Sequence, residues 1–379
     1  MSRDPDRPVC RCEGRPCSIR DLLAIFLRPD LQQAGVPRVS DLHLRVGAPP
    51  RLRIDGDLLV PPESEALTRE QVEALLYPLL NDEQIASLAR TPPTDVDGAY
   101  DWRERGASFR INAFVDRDGP AAVVRVLPRA VPPPWQIGFP DERVWREIVS
   151  AQQGLVIVTG VTGSGKSTTI ASLLGEINRT RPVRIVTLED PIEYVLADDR
   201  GMISQRQVGM HVASFAEGLR SSLREDPDVI FVGEMRDRET AGLALTAAET
   251  GHLVFSTLHT RDTRGALSRI VDLFPPERFK ELCAQLSFSA SWIIGQKLVT
   301  RSDGAGRAVA MEVLRNTPAI ANLVRTGVWQ QIQAMVETQA RDGMNTFERH
   351  LAELVRTGVV SREEAVRHVA DPGFAARLG

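Results

Sequence analysis

An α/β protein, with a P-loop core on a parallel sheet and a smaller α+β domain ahead of it, is what this chain predicts. Three observations point there. From Leu155 to about Val271, short apolar runs alternate with helical patterns, and strand–helix–strand units of that kind build a parallel sheet covered on both faces. The first run ends in Gly160-Val161-Thr162-Gly163-Ser164-Gly165-Lys166-Ser167, the pattern G-x-x-x-x-G-K-[ST]. A stretch holding Pro128, Pro132, Pro133, Pro134 and Pro140 separates this half from a first half of amphipathic strands and helices.

Within the first half, residues 1–18 read as a disordered polar leader. Ile19 to Leu27 read as a short helix. Leu42, Leu44 and Val46 alternate with Asp41, His43 and Arg45, a half-buried strand. Leu52 and Ile54 lead into Asp55-Gly56, a hairpin signal. Thr68 to Leu80 carry Val72, Leu75, Leu76 and Leu79 at helical spacing, and Asp82 to Leu88 form a second helix. Phe109, Ile111 and Ala113 alternate with Arg110 and Asn112, and Ala121 to Leu127 supply another strand. The domain so defined spans 19–127, followed by a semi-rigid connector over 128–140.

The second domain, 141–379, opens with a helix over Asp141 to Ala151. Its strands are Leu155–Thr159, Arg184–Leu188, Val229–Val232 and His252–Ser256, with helices over Ser214–Leu223 and Thr240–Thr250. The tail reads as helical: Phe347, Leu351, Leu354 and Val355 share a face, Gly358 ends that helix, and Ser361-x-x-Glu364 is a capping box for the next.

Composition bounds the function. A chain of 379 residues exceeds one typical core. A net charge of −4 argues against a nucleic-acid partner. No apolar run approaches the roughly 20 residues that span a bilayer, and Met1 to Pro8 are too polar for a signal peptide. Both point to the cytoplasm. Cys10, Cys12 and Cys17 in the leader follow no standard zinc spacing and lack an evident fourth ligand, so they read as reduced surface thiols.

The chemistry gathers at strand ends, where ligands bind in such sheets. The amides of Gly160, Thr162, Gly163, Ser164 and Gly165 can converge on a phosphate, helped by the N-terminus of the helix that starts with Thr168. Lys166 would reach the β- and γ-phosphates of ATP, and the Ser167 hydroxyl would hold Mg²⁺. Glu189, Asp190 and Glu193 cluster after one strand, where one acid can activate water. Glu234 follows an apolar strand in which Gly233 stands where an Asp is usual, so Glu234 takes the acidic work, holding the metal partly through water. His252 and His259 flank one strand; each is either a phosphate contact or a structural histidine.

V-T-L-E-D-P-I-E, L-R-E-D-P-D-V-I-F-V-G-E-M-R-D and A-A-E-T-G-H-L-V-F-S-T-L-H-T, together with the P-loop, resemble the Walker A, Asp-box, Walker B and His-box of the secretion ATPase superfamily. Ser40-Asp41-Leu42-His43-Leu44-Arg45, Arg53-Ile54-Asp55-Gly56 and Gly343-Met344-Asn345-Thr346-Phe347 extend the resemblance to its type IV pilus retraction ATPases, the PilT family. That resemblance implies a PAS-like first domain, a RecA-like second domain and a homohexamer at an inner-membrane platform protein, working alone or with a paralogous motor. It implies Glu189 as catalytic acid, Glu234 as Walker B acid, His259 as sensor, and Arg110 and Arg125 directed at the nucleotide phosphates. The paired C-x-x-C motifs of extension ATPases are absent. Family members often carry A-I-R-N-L-I-R-E, where this chain has Ala319-Ile320-Ala321-Asn322-Leu323-Val324-Arg325-Thr326. The expectation is therefore an ATP-driven retraction motor, with a low-turnover accessory subunit as the alternative.

Overall fold

The computed structural model describes residues 3–33, 36–55, 57–127, 131–304, 306–369 and 373–378. Gly56 of the expected hairpin turn and Pro128 at the head of the expected connector lie outside them. The chain divides into two units, Met1–Arg129 and Ala130–Gly379.

The first unit holds a six-stranded antiparallel sheet in the order Asp57–Leu59, Arg51–Ile54, Val39–Arg45, Gly119–Val126, Ala107–Asp116, Val96–Trp102. Alternation sorts its residues: Leu42, Leu44, Phe109, Ile111, Ala113, Ala122 and Val124 face the core. Helices Ile19–Ala24, Arg69–Leu76 and Asp82–Leu88 contribute Leu22, Leu23, Val72, Leu75, Leu76 and Leu88 to that core. Each of the three begins with a reciprocal capping box, through Ser18/Asp21, Thr68/Gln71 and Asn81/Gln84.

The leader is a correction. It is not disordered over its length: Cys10–Cys12 pairs with Arg15–Cys17 in a two-stranded hairpin. Nor are its thiols on the surface. Cys10, Cys12 and Cys17 are at most 5% exposed and join the core, because alternation and the cross-strand pairing Cys10↔Cys17 put all three on one face. Burial comes first among the causes that raise all three thiols, Cys10 to about 12, and packing explains them as small apolar side chains.

The second unit is organised by a seven-stranded sheet in the order Met202–Gln207, Arg184–Glu189, Val229–Val232, Leu253–Leu258, Gly154–Thr159, Ala290–Thr300, Arg307–Arg315. Six strands are parallel and the last is antiparallel to its neighbour. Successive residues of the central strands enter opposite cores: Leu155, Ile157, Ile230, Val232 and Val254 on one side, Val156, Val158, Val229, Phe231 and Phe255 on the other. Helix Arg238–Glu249 covers the first side; helices Glu142–Ser150 and Lys166–Thr180 cover the second.

Two further expectations differ from the structure, the connector and the last capping box. The stretch 128–140 is not a connector throughout, since Pro134–Ile137 is a helical turn of the second unit that buries Ile137 in its core. Proline at the first helical position costs no hydrogen bond, so a proline-rich stretch can still start a helix. The tail carries helices Phe347–Arg356, Arg362–Arg367 and Phe374–Arg377; ahead of it the antiparallel pair Ala290–Thr300 and Arg307–Arg315 completes the sheet, and the tail core of Phe347, Leu351, Val360 and Phe374 includes its Val299 and Ala310. Ser361 accepts from the Glu364 amide, but the Glu364 carboxylate accepts from the Thr300 amide instead of closing a capping box. In the altered A-I-R-N-L-I-R-E segment, helix Pro318–Thr326 buries Ile320 and Val324; Ala321 is half-buried and Thr326 exposed.

Candidate nucleotide site

Six parallel strands bring their carboxyl ends to one edge, and a cleft of about 500 Å³ opens there. Thr162, Gly163, Gly165, Lys166, Ser167, Thr168, Glu189, Asp190, Glu193, Glu234 and His259 all line it. Residues separated by up to a quarter of the chain are neighbours because each follows a strand of the same sheet.

The loop from Gly160 joins strand Gly154–Thr159 to helix Lys166–Thr180. Gly165 caps that helix at φ 89°, in the left-handed region that favours glycine, and no side chain occupies the cap. The amides of the first turn therefore remain available to an anion. A Cβ on Gly160 would lie 2.4 Å from the Gln296 carbonyl oxygen, so glycine is required there by close approach.

Lys166 is 8% exposed, and its ammonium donates to the carbonyls of Gly160 at 2.7 Å and Val161 at 3.2 Å. Burial lowers its pKa, while the charges of Glu234 and Glu193 act in the opposite sense. Thr168 shares a 2.8 Å hydrogen bond with the Tyr194 hydroxyl.

Glu189, also 8% exposed, accepts from the Thr187 hydroxyl at 2.6 Å and the Gln205 amide at 3.0 Å. Burial raises its carboxyl above the ordinary range, and these two hydrogen bonds oppose that shift. Glu234 meets the Arg236 guanidinium at 2.7 Å and His259 Nε2 at 3.2 Å. The Thr257 hydroxyl donates to the Gly233 carbonyl at 2.6 Å, fixing the strand end that presents Glu234. The absence of a side chain at Gly233 matters, since a Cβ there would meet the Leu188 carbonyl at 3.1 Å and the Phe215 ring at 3.2 Å.

His252 stands apart from this group. It precedes strand Leu253–Leu258, whereas the cleft lies after that strand's other end. Its Nδ1 is 2.9 Å from the Ala247 carbonyl and 3.3 Å from the Thr250 hydroxyl, closing the end of helix Arg238–Glu249. The structure sets His252 outside the cleft of its own chain, against the expected phosphate contact, and gives it structural contacts instead. A parallel strand presents its carboxyl end to ligands, and His252 lies at the amino end of this one.

Arg110 and Arg125 belong to the first unit, where they are direct cross-strand neighbours. Arg125 Nε donates to Asp41 at 2.7 Å, and Arg110 lies 3.6 Å from Asp97. Both occupy the face opposite Phe109 and Ile111.

Sequence reasoning missed Gln205, Arg236, Arg307 and Gln296. Gln205, Arg236 and Arg307 line the cleft. Gln296 lies behind the loop, its amide donating to the Ser164 carbonyl at 2.8 Å. Its strand follows helix Phe279–Ser289 with no turn residue between, so no local signal marked it. Among the described residues no helix is long and apolar enough to cross a membrane, and no group of three or more His, Cys, Asp or Glu could hold a metal by itself.

The family described as type II/IV secretion system protein matches residues 21–367. The type IV pilus retraction ATPase PilT of Pseudomonas aeruginosa is 43% identical, over 86% of this chain and 93% of its own. A twitching motility protein of Neisseria gonorrhoeae is 42% identical, over 84% of this chain and 83% of its own. The crystal structure of the pilus retraction motor PilT with bound ADP superposes with a TM-score of 0.82 at 42% identity, over 89% of this chain and 95% of that one. With its P-loop cleft intact and both units covered by these matches, the chain belongs to the type II/IV secretion system proteins and, within them, to the PilT family.

Proposed function

We propose that this protein is an ATP-hydrolysing motor that drives type IV pilus retraction, and hence twitching motility. The observation that carries this is the single cleft in which Lys166, Glu189, Glu234 and His259 meet at the carboxyl edge of the sheet. Hydrolysis needs a grip on the phosphates, an oriented water and compensation for developing charge. The amides of the loop and Lys166 supply the grip. Glu189, held by two hydrogen bonds, orients and deprotonates water. His259 and Glu234, already in contact, respond to the γ-phosphate.

Ser167 and Glu234 offer hard oxygen donors beside the loop, and few protein ligands suit Mg²⁺, which keeps several waters and travels with phosphates. Bound there, it would neutralise charge on the β- and γ-oxygens. The protein works as a homohexamer at the cytoplasmic face of an inner-membrane platform protein, alone or beside a paralogous motor. Arg110 and Arg125 reach the nucleotide from the N-terminal unit, and nucleotide state shifts the two units against each other. Only a difference in affinity between two such states can produce movement. A low-turnover accessory role is disfavoured, because the cleft keeps both acids with the lysine.

Steady-state ATPase assays test this. Lys166→Ala should lower turnover by about 10²–10³-fold with an unchanged circular dichroism spectrum. A parental protein no faster than its Glu234→Gln variant would overturn the motor assignment. In a strain lacking only this chain, the parental form should restore retraction and Lys166→Ala should not.

A further inference from the structure

We infer that Gln296 is a positioning residue that holds the phosphate-binding loop in its anion-ready shape. It sits in strand Ala290–Thr300, beside the loop's own strand, and is 1% exposed. Its side-chain amide is used at both ends. Nε2 donates to the Ser164 carbonyl at 2.8 Å, and Oε1 accepts from the Thr169 hydroxyl at 2.9 Å. One amide thus ties the middle of the loop to the first turn of the helix that follows.

The consequence is directional. A peptide whose carbonyl is held from behind turns its other face, and the next amide N–H, the opposite way. The loop can bind phosphate only if several amides point outward together. Fixing the Ser164 carbonyl toward Gln296 removes rotations of the Ser164–Gly165 peptide that would otherwise be frozen on binding. The glycines agree with this backing. A Cβ on Gly165 would meet the side-chain Nε2 of Gln296 at 2.8 Å, and one on Gly160 would meet the main-chain carbonyl of the same residue at 2.4 Å. The first and last glycines of the motif are therefore the points at which the loop rests on this residue. The inference rests on the proposed nucleotide site and adds how its shape is maintained.

ADP affinity of the full-length protein, by isothermal titration calorimetry, provides the test, with Lys166→Ala as the non-binding control. Gln296→Leu keeps the volume and removes both hydrogen bonds; it should weaken ADP binding about tenfold, as expected for one buried hydrogen bond. Gln296→Glu keeps the acceptor for Thr169 and loses the donor to Ser164 when ionised. Relative to the parent, its ADP affinity should recover as pH falls, because the protonated carboxyl donates again. Thr169→Val, which frees the far end of the amide, should weaken binding by a smaller factor and keeps the test available should Gln296→Leu fail to fold. Parental affinity in Gln296→Leu, or a Gln296→Glu affinity that tracks the parent at every pH, would overturn the inference. Failure of the parental protein itself to bind ADP would instead overturn the nucleotide site.

Discussion

The cleft of the second unit and the charged face of the first unit's sheet place their ionic groups in contrasting ways. In the cleft, Lys166, Glu189 and Glu234 are each 8% exposed and each is already held by polar partners. On the sheet, Arg53, Asp41, Arg125 and Arg110 form one cross-strand row in which the carboxylate alone is buried. The Arg110 and Arg125 side chains are 39% and 61% exposed. Burial fixes a charge in place at a desolvation cost, and that cost shows in the shifted Lys166 and Glu189. Exposure leaves a guanidinium screened and weak until something excludes the water around it. The first arrangement has its charges already held in place; the second leaves its guanidinium groups in water.

The sharpest way to break this contrast is to remove the exposed charges. With Arg110→Ala and Arg125→Ala combined, steady-state turnover should fall by about 10³-fold or more, the scale of an arginine finger, while ADP affinity at the cleft changes far less. Turnover unchanged in assembled protein would take the first unit out of the chemistry. Glu189 probes the buried side. Its raised carboxyl must lose its proton to act as base, so turnover should rise with pH along a limb displaced above the ordinary carboxylate value of about 4.3. Glu189→Gln should erase that limb and lower turnover by about 10²–10⁴-fold. A limb that survives in Glu189→Gln would assign it to another group.

The same contrast explains what the sequence made legible. The cleft was legible because each of its parts is local: a glycine pattern after a strand, three acids after another, a histidine after a third. Parallel topology then had to bring them together. Strand Ala290–Thr300 was not legible, because helix Phe279–Ser289 runs into it with no intervening turn residue to mark the boundary. Gln296 was hidden with it. Strand Val96–Trp102 is an edge strand carrying Asp97, Gly98 and Asp101, residues that ordinarily argue against a strand. The leader misled for a different reason. Its three cysteines are set among Arg11, Glu13, Gly14, Arg15 and Pro16, and only pairing across the hairpin reveals the apolar face. His252 was misplaced although chain order already set it at the amino end of its strand, away from the end where ligands bind.

The smallest effect sharpens the comparison within the arginine row itself. Asp41 is buried and Arg125 is not, so the two partners of one ion pair should not be equally costly to remove. Arg125→Ala leaves a buried carboxylate with the Ser40 hydroxyl, at 2.7 Å, as its remaining side-chain donor among the described contacts, a loss of about 1–3 kcal/mol. Asp41→Asn leaves an arginine in water and should cost about 1 kcal/mol or less. Burial alone would raise the Asp41 carboxyl, but hydrogen bonds from Arg125 and Ser40 outweigh it and hold the carboxyl below its ordinary value. A lowered folded-state value contributes stability above the unfolded value of about 3.9, and that stability is lost as pH falls through the folded value. The Arg125→Ala deficit should therefore be full near neutrality and fade in acid, where Asp41 is neutral in both proteins. Amide exchange in strands Val39–Arg45 and Gly119–Val126 of the full chain measures it. Equal deficits for the two variants, or one independent of pH, would mean that Asp41 does not anchor Arg125, and that the arginine row is held by the sheet alone.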